Sequence, residues 1–434
     1  MPLLYSPFPS RKLIFMMLIV FITVLSSVSL SRPVESAVTP RAFAGTPFVG
    51  SSATPGQFVI SEFRLRGPSG ANDEFIEIYN NSGEDHTVAD SGAGTGYAIV
   101  ASDGVARCVI PNGIIIHDKG HYLCTNSIAY SLGARATGNA NYTVDVPDNA
   151  GIALFNTSVA ANFTLANRLD AVGSTAEANT LYKEGTGYPA LTPFSLEYAF
   201  VRDECGKSGS ITTFGPCPTE VKYVDTNNNA TDFFFVDTNG TSAGAGQRLG
   251  APGPQNHESP IQRNIQMPVF VVDNAVSAAS QPNRVRDFTS DPANNSTFGT
   301  LEFRRRVVNN SGGNVTTLRY RIVDISTFPA PSGIADLRSR TSSLVVVSGI
   351  NDSATCLASN GVATTPCTVN IQGTTLEEPP SQPNGGAFNS TWSSGTITLG
   401  TPLANGASIN IRLLFGIQQT GSFKFYINIE IVVT

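Results

Sequence analysis

Charged side chains are scarce in this chain. Asp, Glu, Lys and Arg make up 14% of its 434 residues, against roughly 25% in an ordinary globular protein. The residues that sustain exposed helices are correspondingly few, and no window carries a sustained helical period. There are only four histidines, and none sits in an H-E-x-x-H or G-x-S-x-G context. A basic face is missing as well: the formal net charge of −6 speaks against nucleic acid as a general partner, since phosphate binding needs clustered cations. Long apolar runs are absent beyond residue 30, so no later segment could cross a membrane as a helix.

Turn-forming residues fill the space that charge leaves. The chain has 40 Gly and 27 Pro, and Asn, Ser and Thr crowd between its apolar runs. A hydrophobic content of 41% still suffices for packed cores and argues against disorder. At the N-terminus, Arg11 and Lys12 precede the apolar run from Leu13 to Leu30. This is the pattern of a secretory signal, with cleavage expected after Ser31; an uncleaved anchor is the alternative. Residues 32–56, rich in Ser, Pro, Ala and Thr, read as a flexible leader.

Six cysteines follow, grouped as near neighbours. In an oxidising compartment the clustering favours the disulfides Cys108–Cys124, Cys205–Cys217 and Cys356–Cys367. None of these spacings is the C-x-x-C of a zinc site.

From Phe58 onward the chain reads as short strands between Gly, Pro and Asn turns. Phe58–Leu65 and Glu74–Asn80 come first, and similar runs recur at Tyr97–Ala101, Ile114–Ile116, Tyr122–Thr125 and Gly151–Phe155. Alternation is clearest late in the chain. Leu318, Tyr320 and Ile322 alternate with Arg319 and Arg321. Ile409 to Ile417 and Phe423 to Val433 repeat the pattern, with a hairpin expected at Gln418–Ser422. The fold class is therefore all-β, as two β-sandwiches in tandem: residues 57–250 and 265–434, joined by a linker over 251–264.

The segments Ile60-Ser61-Glu62-Phe63 and Asp73 to Asn80 resemble the opening of a bacterial lamin-tail domain. Leu123 after Gly120, Gly151–Phe155 and Arg168–Gly173 resemble later parts of that family's pattern. The resemblance covers about residues 57–175, and the stretch to about residue 250 is similar to an extension of secreted members. It implies an immunoglobulin-like sandwich without catalytic residues of its own, at the cell surface or secreted.

Several constellations invite a chemical reading. His117 and His121 flank an Asp-Lys-Gly turn between strands, which does not bring them onto one face. Asp225, Asn227 and Asn229 match the first half of a calcium loop, although Ala230 and Val236 stand where an EF-hand requires Gly and Glu; the other reading is Asx-turn chemistry. Glu62, Glu74 and Glu77 read as exposed strand positions or backbone caps, because Glu74 and Glu77 point to opposite faces. Arg304-Arg305-Arg306, with Arg319 and Arg321 across an expected hairpin at Asn309–Asn314, is a candidate anion-binding group, in which Arg304 and Arg306 share one sheet face with Arg319 and Arg321. The alternative for these arginines is a solvated face that deters edge pairing.

The reading favoured by the sequence is a non-catalytic secreted or cell-surface protein with a structural or adhesive role. It needs no cofactor, with calcium as a candidate only, and its partner is an envelope or extracellular protein or polysaccharide. A second reading is a carbohydrate- or anionic-polymer-binding module using the arginine face or aromatics such as Trp392. A third is an accessory protein of an extracellular hydrolase.

Overall fold

β-Branched and aromatic runs bounded by Gly, Pro and Asn form strands wherever their side chains find a second sheet to cover. The computed structural model describes residues 52–191, 196–204, 223–239, 248–327, 335–377 and 384–434, without the side chains of 395–398. The signal segment, nearly all of the leader, and Cys205 with Cys217 lie outside the described residues. The leader's last residues pack against the fold: Ala53 is 2% exposed, and its N–H donates to the Tyr97 hydroxyl at 2.8 Å.

The chain is all-β, and its four principal sheets stack as layers. Layer one holds Arg168–Val172, Ile152–Phe155, Gly96–Ala101 and Ala106–Pro111. Layer two is seven-stranded, in the order Arg248–Leu249, Phe233–Asp237, Tyr198–Arg202, Phe58–Arg64, Phe75–Asn80, His121–Asn126 and Ala140–Tyr142. Layer three runs Ile261–Gln262, Phe425–Val433, Val315–Ile325, Thr391–Leu403 and Thr375–Glu377. Layer four runs Val269–Val271, Thr300–Val308, Ser408–Gln419 and Asp336–Arg340, with Arg284–Asp287 also pairing Thr300–Val308.

One apolar core lies between layers one and two, where Phe63, Ile76, Ile78 and Phe200 meet Tyr97, Ile99, Ile152 and Leu154. The second core is continuous from layer two's other face to the interior between layers three and four. It joins Phe75, Leu123 and Phe234 to Leu318, Tyr320, Trp392 and Phe415. Layer two is thus covered on both faces, and every residue of Phe58–Arg64, Phe75–Asn80 and His121–Asn126 is buried.

Two expected hairpins are crossovers instead. Thr300–Val308 belongs to layer four and Val315–Ile325 to layer three; likewise Ser408–Gln419 and Phe425–Val433 lie in different layers. Period-2 alternation marks an apolar face but not which sheet carries it. A connection of five or six residues spans the ~10 Å between packed sheets. Phe425–Val433 pairs with Val315–Ile325 along its length.

Two of the expected disulfides are formed. Cys108–Cys124, with a Cα separation of 6.3 Å, ties layer one to layer two. Cys356–Cys367 ties the helix Ser353–Asn360 to the strand Cys367–Ile371.

Residues 251–256, part of the segment read as a linker, are buried. They thread between layers two and three, and the described residues cluster as one compact unit. Gly253 has no room for a side chain: a Cβ there would lie 2.6 Å from Arg321 Nη1 and 2.9 Å from Asn389 Nδ2. Gly253→Ala is therefore expected to destabilise the chain by about 1–3 kcal/mol in denaturant unfolding. Wild-type stability in that variant would mean that the segment is not clamped as described.

Candidate functional site

The arginines proposed as a binding face do not form one. Arg319 and Arg321 alternate with the core residues of their strand and so point away from layer four, toward layer two. They are 6% and 4% exposed, and Glu430 beside them is 3% exposed. Arg319 Nε meets Glu430 Oε2 at 2.6 Å, and Arg321 Nε meets Glu430 Oε1 at 2.7 Å. Burial disfavours the Glu430 carboxylate, but the two guanidiniums outweigh it and hold the group below its ordinary range.

The buried linker segment completes this network. Arg319 Nη2 donates to the Gln255 side-chain carbonyl, while Arg321 Nη1 donates to Asn389 Oδ1 at 2.6 Å. Asn389 Nδ2 donates to Glu62 Oε2 at 3.1 Å. The backbone N–H of Gly253 donates to Glu62 at 2.7 Å, and that of Gln255 donates to Glu77. Of the two readings for Glu62 and Glu77, exposed strand positions or backbone caps, the second holds: both are buried and accept backbone N–H groups. Glu74 also caps backbone, accepting from the Val146 N–H at 2.8 Å on the sheet's opposite side.

Arg304 and Arg306 lie on the outer face of layer four, apart from this network. Arg304 pairs with Glu302, which also binds Arg412 at 2.6 Å. Arg306 donates to Thr355 Oγ1 at 3.1 Å, and its guanidinium lies 4.9 Å from the Phe270 ring centre. Trp392 is fully buried, its indole N–H donating to the Arg340 carbonyl at 3.1 Å. It is not available to a carbohydrate.

The two histidines are separated as the turn predicts. His117 is exposed and bonds Asp85 at 2.9 Å. His121 is buried beside Gln255, and burial pushes its pKa down to about 3.

The proposed calcium ligands do not converge. Asp225 accepts the Asn227 N–H at 3.2 Å in an Asx turn. The Asn229 side chain is fully committed: it accepts from Gly173 and Glu184 N–H groups and donates to the Ala171 carbonyl. Asp225 instead approaches Asp170 and Glu184, with one oxygen of each within 4.8 Å of the others. Strand pairing and a long loop create this trio, so no local spacing announces it. Arg202 pairs with Asp170 at 2.5 Å and Arg168 with Glu184 at 3.0 Å. Burial, then the nearby Asp170 and Asp225, push Glu184 up to about 9. Arg202, which also lies 3.7 Å from Asp232, and Arg168 offset part of the negative charge there.

An apolar cavity of about 250 Å³ opens between layers three and four. Arg305, between the two outward arginines, points into it. The alternation that places Arg304 and Arg306 on one face requires Arg305 on the other; that was the available signal for it. No protein-family model, curated protein or solved structure matches the chain.

The buried carboxylates make stability depend on pH. Burial, and then Glu62, push Glu77 from 4.5 up to about 8. The folded state therefore holds a proton that the unfolded chain releases in this window, and stability falls as pH rises through it. Glu77→Gln fixes the neutral form. Its stability is expected to decline less steeply between the two values than that of the wild type, by up to about 1.4 kcal/mol per pH unit. An unchanged slope in urea unfolding across that range would contradict the assignment.

Proposed function

We propose that this chain is a non-catalytic, exported protein with a structural or adhesive role, whose first half is an immunoglobulin-like sandwich of the lamin-tail type. The observation that carries the reading is where its ionisable groups go. Glu62, Glu77, Glu430, Arg319 and Arg321, a buried cluster of five ionisable side chains, bind one another and the backbone between layers two and three. These bonds stiffen the protein and leave those groups no substrate to meet. Export is supported by the Arg11-Lys12 and Leu13–Leu30 pattern and by two disulfides, which persist outside the cytosol. Among the described residues no helix is long and apolar enough to cross a membrane.

The anion-gripping alternative loses its support, since two of its four arginines are buried and a third is ion-paired. Adhesion falls instead to exposed aromatic rings on the outer edge of layer four. Phe288 is 79% exposed, with Arg286 lying 4.3 Å from its ring centre. Phe270 and Phe298 are exposed as well. Such rings mark interaction surfaces more specifically than exposed aliphatics do. The partner class is an envelope or extracellular protein or polysaccharide.

Retention of the purified chain on isolated envelope polysaccharide and protein fractions tests this reading. Binding is expected to survive high salt and to drop in Phe270→Ser and Phe288→Ser. Binding that vanishes in high salt, or turnover of chromogenic glycoside, ester or peptide substrates, would overturn it.

A further inference from the structure

The strand Thr300–Val308 alternates between Leu301, Phe303, Arg305 and Val307 on its inner face and Glu302, Arg304 and Arg306 on its outer face. An arginine therefore occupies a core position. Its neighbours explain how this is tolerated. The cavity beside it, about 250 Å³, has a floor of Tyr320, Ile411, Leu413 and Ile429 and walls that include Phe303 and Phe425. It reaches solvent past Val269, which is 48% exposed.

Arg305 has no carboxylate partner among the described residues. Its Nη1 donates to the carbonyls of Asn283 at 3.1 Å and Arg304 at 2.8 Å. Nε and Nη2, the edge that binds a carboxylate with two parallel bonds, meet no protein acceptor among those residues. A second guanidinium stands close by. Arg284 is directly opposite Phe303 in the adjoining strand, so both project to the same side of the sheet. Arg284 is exposed and near enough that its charge, after burial, helps to depress the pKa of Arg305. The nearest acid on this strand, Glu302, points to the opposite face and is taken by Arg304 and Arg412. In a chain of net charge −6, Arg305 at this apolar cavity and Arg284 near it are thus two cations with no carboxylate partner among the described residues.

We propose that this cavity binds a medium-chain fatty acid, its alkyl tail between layers three and four and its carboxylate on Arg305, with Arg284 adding long-range attraction. The size fits: an apolar cavity of ~150 Å³ takes a benzene ring, so this one takes a tail of roughly eight carbons. The charge pattern fits a monoanion and excludes a cationic amphiphile. The tail replaces contacts that the open interior lacks, and the carboxylate neutralises a partly desolvated guanidinium.

Isothermal titration of the full chain with hexanoate, octanoate and 1-octanol tests the proposal. Affinity is expected to rise by about fourfold per added methylene, and octanoate is expected to bind at least tenfold more tightly than octanol. Arg305→Met should remove the preference for octanoate over octanol while keeping the chain-length dependence. Arg284→Met, on an exposed residue, should weaken octanoate less and make its binding less salt-sensitive. Equal binding of octanoate and octanol by the wild-type chain would overturn the proposal without recourse to any variant. So would affinity independent of chain length, or a wild-type chain that binds neither ligand and sediments as a dimer, which would assign the opening to a second copy.

Discussion

Glu430 lies between Arg319 and Arg321, out of reach of water, and the rest of the architecture is arranged around that fact. Three ionised groups in an interior are costly unless every lone pair and N–H finds a partner. The segment 251–256 supplies much of what is missing: Gly253 and Gln255 bring backbone amides to Glu62 and Glu77, and the Gln255 side chain reaches Arg319. Layer two and layer three thereby meet through a polar seam flanked by apolar contacts such as Phe234 on Phe388. Each pair of sheets has its own interior, but neither can expose this seam without stranding charge. Losing one partner of such a cluster typically costs about 3–5 kcal/mol.

The strand content was legible from the residues. Turn punctuation marked Phe58–Arg64, Phe75–Asn80 and Gly96–Ala101, and alternation marked the long strands of the second half, because both signals are local. The described disulfides followed from proximity in sequence. What could not be read was which sheet each strand joins, since an apolar face looks the same whichever layer receives it. The connections at 309–314 and 420–424 therefore look like hairpins in the sequence but cross between layers, which separates Arg304 and Arg306 from Arg319 and Arg321.

The polar faces misled in a related way. Glu62, Glu77, Arg319 and Arg321 occupy the non-core parity of their strands, which in a single sandwich means solvent. Here that face meets another sheet, and polarity signals a partner of opposite charge inside the same chain. The reverse holds for Arg305: sequence grouped it with its flanking arginines, while strand parity turns it inward to an apolar cavity. The two cases share one rule. On a strand, the side on which a charge sits carries more information than its presence, and only the layer order reveals what lies on that side.

Opening the polar seam would strand the charges of Glu430, Arg319 and Arg321, so it opposes separation of the sheet pairs. The most direct test is differential scanning calorimetry of the full chain. A seam that joins the sheet pairs predicts a single transition whose calorimetric enthalpy equals the van't Hoff value. Two separable transitions, one for each pair of sheets, would contradict it.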